Sequence, residues 1–573
     1  MSGARARKAE ERNPWRLRML MGLWLLCGLL LGARAVDLHV FQSEFLSRQG
    51  DLRNLRTEPL PAHRGVITDR DGRPLAVSTP VTTLWANPRE LDEARDQWHR
   101  LEGNPVLDRA TLARRAERGQ GRELIYLARH LAPDEAQAVL DQNIGGIYSM
   151  EEYRRFYPAG EVAAHLLGFT NIDERGQEGI ELALDDRLAG HPGRKRVVRD
   201  LRNRVIQDIE LLQEARPGED VSLSVDLRLQ YLAYRELLAA VEQHDAAGGS
   251  VTLLDAWTGE VLALANQPGF NPNNRSGISA STLRNRAVID MFEPGSTVKP
   301  ITIAAALETG LVTPETSVNT APGTVRVGRN TIRDLRDYGE LDVAGVIRKS
   351  SNVGTVKVAM QMDEQVLPGY LERFGFGSSS GMGFPGESSG LLPIRASWSR
   401  AEQATLAYGY GVSVTGAQLA RAYAALANGG RRLPLSLEPV SEVPHGEQVV
   451  EPAIADTIVE MMESVVSEEG TARRAEVPGY RVAGKTGTVH KLTASGYARD
   501  RYMAIFAGMA PAENPRYVAV VTVDDPSGDE FYGGQVAAPV FSRLMAGVLR
   551  TLNVEPSDEH GTWVGRGEEE DRT

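Results

Sequence analysis

The sequence predicts an α+β protein: an antiparallel sheet flanked by helices, preceded by a mixed N-terminal domain and one membrane-crossing helix. Three observations predict it. The chain has 573 residues, 42% apolar and 24% charged, ordinary globular values at a length that calls for two or more domains. A single long apolar run, residues 19–33 (MLMGLWLLCGLLLGA), lies near the N-terminus. From Gln230 onward the patterning reads helix, two strands, a helical middle, three strands and a final helix. That is the order of one sheet covered from both ends of the chain.

Residues 1–16 read as a cytoplasmic tail, because Arg5, Arg7, Lys8, Arg12 and Arg16 outnumber Glu10 and Glu11. The apolar run is shorter than the ~20 residues that cross a bilayer unaided. Extended to residues 17–36, with Arg18 and Arg34 snorkelling, it makes a transmembrane anchor. Ala33-Arg34-Ala35 also resembles a cleavage site, so a signal peptide is the alternative. Both readings export the remainder. The only cysteine, Cys27, falls in this segment, which excludes a disulfide framework and a multi-cysteine zinc site. The net charge of -12 argues against a dedicated nucleic-acid binder.

Residues 37–218 form a mixed domain without a catalytic constellation, a pedestal by its pattern. Strand, Asp71-Gly72 turn and strand are expected over residues 66–77. Residues 107–142 have helical composition, broken at Gly119 and Gly121. Arg216-Pro217-Gly218-Glu219 reads as a linker to a second domain over residues 221–554. There a helix is expected at 230–243 and a strand pair at 249–255 and 260–265 around Trp257-Thr258-Gly259. Strands at 502–510 and 517–523 and a helix at 538–549 complete it. The acidic tail, residues 555–573, is expected to be disordered.

Two motif matches are decoys. Residues 479–486 satisfy the P-loop pattern, but no buried strand precedes them and no helix follows, so nothing would cradle a phosphate. Gly377-Ser378-Ser379-Ser380-Gly381 imitates a nucleophile elbow without the preceding strand or a partner histidine. No histidine pattern has metal-ligand spacing.

Three further sets support one another. Ser296-Thr297-Val298-Lys299 opens a helical run that Gly310 ends. A serine there exposes its hydroxyl and offers a free backbone N–H to an oxyanion, and Lys299 lies on the same face within reach of that hydroxyl. Pro300 cannot donate to the Ser296 carbonyl, so a distorted first turn is expected. Ser350-Ser351-Asn352 follows in the helical middle, and Lys485-Thr486-Gly487-Thr488 on a strand. Each is weak alone; their order and contexts together match the S-x-x-K, S-x-N and K-T-G elements of serine acyl-transferring penicillin targets.

The chain resembles a class B penicillin-binding protein, in particular the septal D,D-transpeptidase group. The resemblance is strongest over residues 221–554, through Arg284-Asn285-Arg286, Phe292-Glu293-Pro294-Gly295-Ser296-Thr297, Tyr408-Gly409-Tyr410-Gly411 and Tyr532-Gly533-Gly534. It is weaker over residues 64–78 and 154–181, which resemble the family's pedestal. The departure of note is Ser351, where β-lactamases often carry Asp.

The resemblance implies a penicillin-binding/β-lactamase-like transpeptidase domain in which Ser296 attacks the D-Ala–D-Ala amide of a peptidoglycan stem peptide. Lys299 would be the base, which requires a neutral amine and so a pKa far below ~10.4, through desolvation and the nearby cation Lys485. Lys485, with the hydroxyls of Thr486 and Thr488 across Gly487, would hold the substrate carboxylate. Ser350 would relay a proton, Asn352 would bind the substrate amide, and the N–H groups of Ser296 and Thr488 would form the oxyanion hole. Tyr408 and Tyr410 would line the substrate site. No cofactor or metal is implied.

The implied partners are stem peptides on lipid-linked or nascent glycan, β-lactams as covalent inhibitors, and divisome membrane proteins including a septal glycosyltransferase. The implied place is the bacterial inner membrane at the division site, with the C-terminal domains in the periplasm. A D,D-carboxypeptidase side activity is compatible. The alternatives are an elongation-type class B transpeptidase, a β-lactamase, which would need a deacylating Glu loop, and a non-catalytic β-lactam sensor or scaffold.

Overall fold

The computed structural model describes residues 14–42, 55–199, 205–493 and 496–557. Most of the predicted cytoplasmic tail, and the acidic tail beyond residue 557, lie outside the described residues. Helix α1 (Pro14–Val36) carries the apolar run, with Trp24, Leu25 and Leu31 exposed. A helical stretch of 27 residues, Trp15–Phe41, is long and apolar enough to cross a membrane.

Contacts divide the chain into two interleaved units, the first comprising residues 1–62, 82–151 and 191–216 and the second 63–81, 152–190 and 217–573. The first unit holds an antiparallel three-stranded sheet in the order Leu55–Leu60, Gly193–Arg199, Val205–Gln213. It also holds a small core around Leu84, Leu91, Trp98, Leu112 and Leu127. The helical reading of residues 107–142 is corrected here. A helix, Arg109–Arg118, and a second, Pro133–Leu140, are separated by a strand, Ile125–Leu131. Tyr126 and Ala128 of that strand pair with Trp85 and Leu84. Ile125 and Leu127 are buried while Tyr126 is exposed, a period of two that composition alone does not reveal.

In the second unit, the predicted pedestal stretches meet in a buried ion cluster. Arg64 and Arg155 each donate to the fully buried Glu181, at 2.7 and 2.6 Å, and Arg64 also reaches Asp185 at 2.6 Å. Two guanidiniums on one carboxylate offset its desolvation cost; removing Glu181 would take the counter-charge from the buried Arg155 and leave Arg64 with Asp185 alone.

The main body of this unit follows the expected order. Helix α2 (Leu227–Gln243) is capped by Asp226, whose side chain accepts from Arg228 N–H. Strands β1 (Gly248–Asp255) and β2 (Val261–Gln267) follow, then helices α3 (Lys299–Glu308), α4 (Asn352–Ala359) and α5 (Gly416–Ala427). Strands β3 (Ala483–Thr493), β4 (Gly496–Ala510) and β5 (Tyr517–Asp524) and helix α6 (Gly533–Thr551) close the chain. The antiparallel sheet order is β2-β1-β5-β4-β3. Every residue of β1 and β5 is buried, as expected of strands covered on both faces. Helices α2 and α6 pack together against one face, and α5 against the other. Strand β3, at the sheet edge, packs beside the turn that precedes α3, and so brings Lys485 to Ser296's neighbourhood.

Candidate active site

Ser296 lies in a 3-10 turn, Gly295–Val298, that runs directly into α3. The expected distortion is this turn. Pro300 has no N–H to return to the Ser296 carbonyl, and Lys299 N–H donates there instead. Tyr423 of α5, completely buried, donates its hydroxyl to the Thr297 carbonyl at 2.8 Å and holds the turn from below.

Gly295 has φ +53°, and a Cβ there would lie 2.4 Å from Val489 Cγ1 on β3. Its N–H donates to Gly409 O at 3.0 Å, so the turn is wedged between β3 and the 408–411 loop. Gly295→Ala is therefore expected to displace Ser296 and slow penicillin acylation by about 10-fold or more. Stopped-flow acylation rates on the folded variant check this; an unchanged rate would show that the turn tolerates a shift.

The two lysines are completely buried and meet on one hydroxyl. Lys299 Nζ donates to Ser350 O at 2.6 Å and Asn352 Oδ1 at 2.7 Å, and lies 3.2 Å from Ser350 Oγ. Lys485 Nζ donates to Ser350 Oγ at 2.8 Å and to Thr486 O at 3.3 Å. Among the described residues no hydrogen bond joins Lys299 to Ser296 Oγ. The expected direct reach is replaced by a hub at Ser350, itself held at φ +58°, a conformation that costs a non-glycine residue about 1–3 kcal/mol.

Burial pushes Lys299 down to about 7, opposed by the negative charge of Asp334. Burial, and then the charge of Lys299, push Lys485 well below its ordinary value. Two completely buried ammoniums sharing one hydroxyl repel, so the pair titrates as a unit and gives up one proton first. A neutral Lys299 fits the contacts. Its two N–H bonds go to Ser350 O and Asn352 Oδ1, and its lone pair faces the Ser350 hydroxyl, whose oxygen accepts from Lys485.

Asp334 was not singled out by sequence. It lies 17 residues before Ser351, in no motif, and only the folded chain brings it to the second motif. Its carboxylate accepts Ser351 Oγ–H at 2.5 Å, Asn352 N–H at 2.5 Å and Val353 N–H at 3.0 Å. Ser351 in turn caps α4 by accepting Gly354 N–H at 2.8 Å. The Asp that β-lactamases often place at the motif's middle position is thus replaced by Ser351 reaching a carboxylate from another segment.

Thr486 and Thr488 alternate with Lys485 and Gly487 along β3. Thr486 Oγ1 shares a 2.9 Å hydrogen bond with Thr471 Oγ1, and Thr488 Oγ1 accepts Gly533 N–H at 2.9 Å. The Thr486–Thr471 pair uses one hydroxyl hydrogen between its members, and Thr488 only accepts. One donor remains from the pair and one from Thr488, enough for the two oxygens of a carboxylate. Gly487 lets β3 pack close to the Ser296 turn, since a Cβ there would lie 3.0 Å from Thr297 Cγ2.

Residues 249–546 match the family described as the penicillin-binding protein transpeptidase domain, and residues 59–223 the penicillin-binding protein dimerisation domain. Peptidoglycan D,D-transpeptidase FtsI of Escherichia coli strain K12 is 44% identical over 557 residues, 96% of this chain and 94% of that protein. The chain belongs to the class B penicillin-binding proteins. A probable peptidoglycan D,D-transpeptidase, PbpC of Pseudomonas aeruginosa, is 41% identical over 96% of this chain and 97% of its own length. Penicillin-binding protein 3 of Mycobacterium tuberculosis, solved in complex with aztreonam, superposes with a TM-score of 0.69 at 29% identity, covering 88% of this chain and 99% of that one.

In this penicillin-binding protein the tyrosines form a wall beside the Ser296 turn. Tyr408 and Tyr410 have ring centroids 5.4 Å apart, and Tyr497 meets Tyr410 at 5.9 Å. Burial raises Tyr408, and pushes Tyr410 up to about 12, so both stay neutral phenols rather than bases. Glu293, three residues before Ser296, ties the wall together by accepting Tyr497 O–H at 2.9 Å and Gly411 N–H at 2.8 Å. Tyr497 and Thr471 lie in no sequence motif, and Glu293 stands in the sequence only as part of the segment that carries the family resemblance.

The decoys resolve structurally. Gly484-Lys485-Thr486 is strand, not a phosphate loop. The 375–381 segment is a loop whose carbonyls accept from the buried Arg421, and Ser379 Oγ donates to Glu387, far in character from a nucleophile's base. The one carboxylate group with metal-ligating spacing among the described residues, Asp69, Asp71 and Asp226, is engaged by backbone N–H groups and Arg228.

Proposed function

We propose that the protein cross-links peptidoglycan stem peptides at the division septum by serine acyl transfer through Ser296. The observation that carries this reading is the pair of buried lysines meeting on Ser350 beside the Ser296 turn. It is a site able to hold one amine neutral and the other charged.

Ser296 Oγ attacks the D-Ala–D-Ala carbonyl while Lys299, directly or through Ser350, takes its proton. The oxyanion accepts the N–H groups of Ser296 and Thr488, each worth about 3–4 kcal/mol in such sites. The C–N bond breaks, Ser350 passes the proton to the departing amine, and an ester on Ser296 remains. An amine of a second stem peptide then attacks the ester, closing the cross-link and returning the serine proton. Lys485 and the free donors of Thr486 and Thr488 hold the donor carboxylate. Asn352 donates one Nδ2–H to Arg333 O and keeps the other for the substrate amide.

The arginine-rich flank of α1 supports an N-terminus inside and a catalytic unit in the periplasm. The membrane partners proposed are proteins of the division machinery, a septal glycosyltransferase among them. Imaging cells labelled with fluorescent penicillin tests the reading. The labelled protein is expected at midcell, and its depletion should give filaments of undivided cells. Depletion that yields round, still dividing cells would move the protein to the elongation group.

A further inference from the structure

The second motif contains no acidic residue, yet its helix is capped by one. Asp334 binds the first two N–H groups of α4 and the Ser351 hydroxyl, all within 3.0 Å. Asn352, whose N–H it holds, is the residue whose Oδ1 accepts from Lys299 at 2.7 Å. A single residue therefore stands between this carboxylate and the amine of the base. We propose that Asp334 is a positioning residue of the transpeptidase that sets the working pH of Lys299 as well as the placement of Ser350-Ser351-Asn352. This inference rests on Lys299 acting as the base.

The physical need is specific. Complete burial drives an ammonium toward neutrality, and at Lys299 it is the leading effect. An amine made too acidic is neutral at all working pH values but is a poor proton acceptor; base efficiency is greatest when the pKa lies near the operating pH. Asp334 opposes burial at Lys299, the direction that keeps it near neutrality rather than far below.

The groups facing Lys299 are few. From the end of the preceding segment and from α4 come Ser350 and Asn352, both neutral. From β3 comes Lys485, and from the loop after residue 333 comes Asp334. Arg333 turns only its backbone carbonyl to Asn352 and is exposed. Asp334 is thus the negative charge acting on Lys299 among the described residues.

The test is the pH profile of penicillin acylation on the full-length protein in detergent, followed with fluorescent penicillin from about pH 5 to 10. Asp334→Asn keeps an acceptor for the α4 cap and removes the charge. The rising limb, which reports deprotonation of Lys299, should move to lower pH by about one unit, and the plateau should fall several-fold. Ser351→Ala removes one of the hydrogen bonds to Asp334 and keeps its charge. It should lower the rate or the melting temperature and leave the limb in place. Asp334→Ser supplies another neutral cap should Asp334→Asn not fold. A limb that stays within about 0.2 units of wild type in the neutral variants, or that moves equally in Ser351→Ala, would overturn the proposal. Loss of the limb in Lys299→Ala, measured in parallel, distinguishes this failure from a failure of the base assignment itself.

Discussion

Benzylpenicillin is expected to acylate one residue, Ser296, and Ser296→Ala to remove the adduct completely. The ring amide of the drug presents the same carbonyl and carboxylate as D-Ala–D-Ala, so it needs the same three features: a hydroxyl at the start of α3, a neutral amine, and a cation for the carboxylate. Ser350 and Ser379 each lack one of them. Ser350 lies between both lysines but accepts from Lys485 and is fixed at φ +58°, bound on its carbonyl side by Lys299. Ser379 donates to Glu387 and has no amine as a partner. Intact mass should rise by one drug equivalent, with the peptide map placing it on Ser296. An adduct on Ser350 or Ser379, or one that persists in Ser296→Ala, would undo the assignment.

The second large effect separates the lysines. Lys299→Arg should slow acylation by about 10³-fold or more, because a guanidinium does not give up its proton in a protein and cannot act as base. Lys485→Arg should cost less, on the order of 10-fold to 100-fold, because arginine can still pair with a carboxylate. The wild-type rate should climb with pH through about 7, where Lys299 loses its proton. The sign follows from which form reacts. Below that pH the amine is protonated and the rate falls by about tenfold per unit; above it the neutral amine is available. Second-order rates on detergent-solubilised protein, with circular dichroism verifying each fold, measure all three. Equal rates for the two arginine variants would mean that Ser296 loses its proton by another route.

Much of the architecture was legible because burial leaves marks in sequence. β1 and β2 could be read as a strand pair around Trp257-Thr258-Gly259, β5 as a largely apolar strand, and α2 by its helical spacing, while the burial of β1 and β5 on both faces appears only in the structure. Ile125–Leu131 was misread because a seven-residue strand between two short helices shares their composition; its pairing with Trp85 and Leu84 decides it. The interleaving of the two units was likewise invisible. It depends on residues 63–81 and 152–190 packing with the later chain instead of their neighbours.

The chemistry divides in the same way. Sequence by itself determined which groups are available: a serine and a lysine one turn apart at a helix start, a Ser-x-Asn, and a Lys-Thr-Gly on a strand, with the family they resemble. Tertiary structure alone decided how they are wired. It joined Lys485 to Ser350 across 135 residues, sent Lys299 to Ser350 and Asn352 instead of Ser296, and brought Asp334 to the helix start that Ser351 caps. A pKa is set by burial and by charges a few ångströms away, and those distances run between segments far apart in the chain. Residue identity can be written into a local motif; a proton's preferred site cannot.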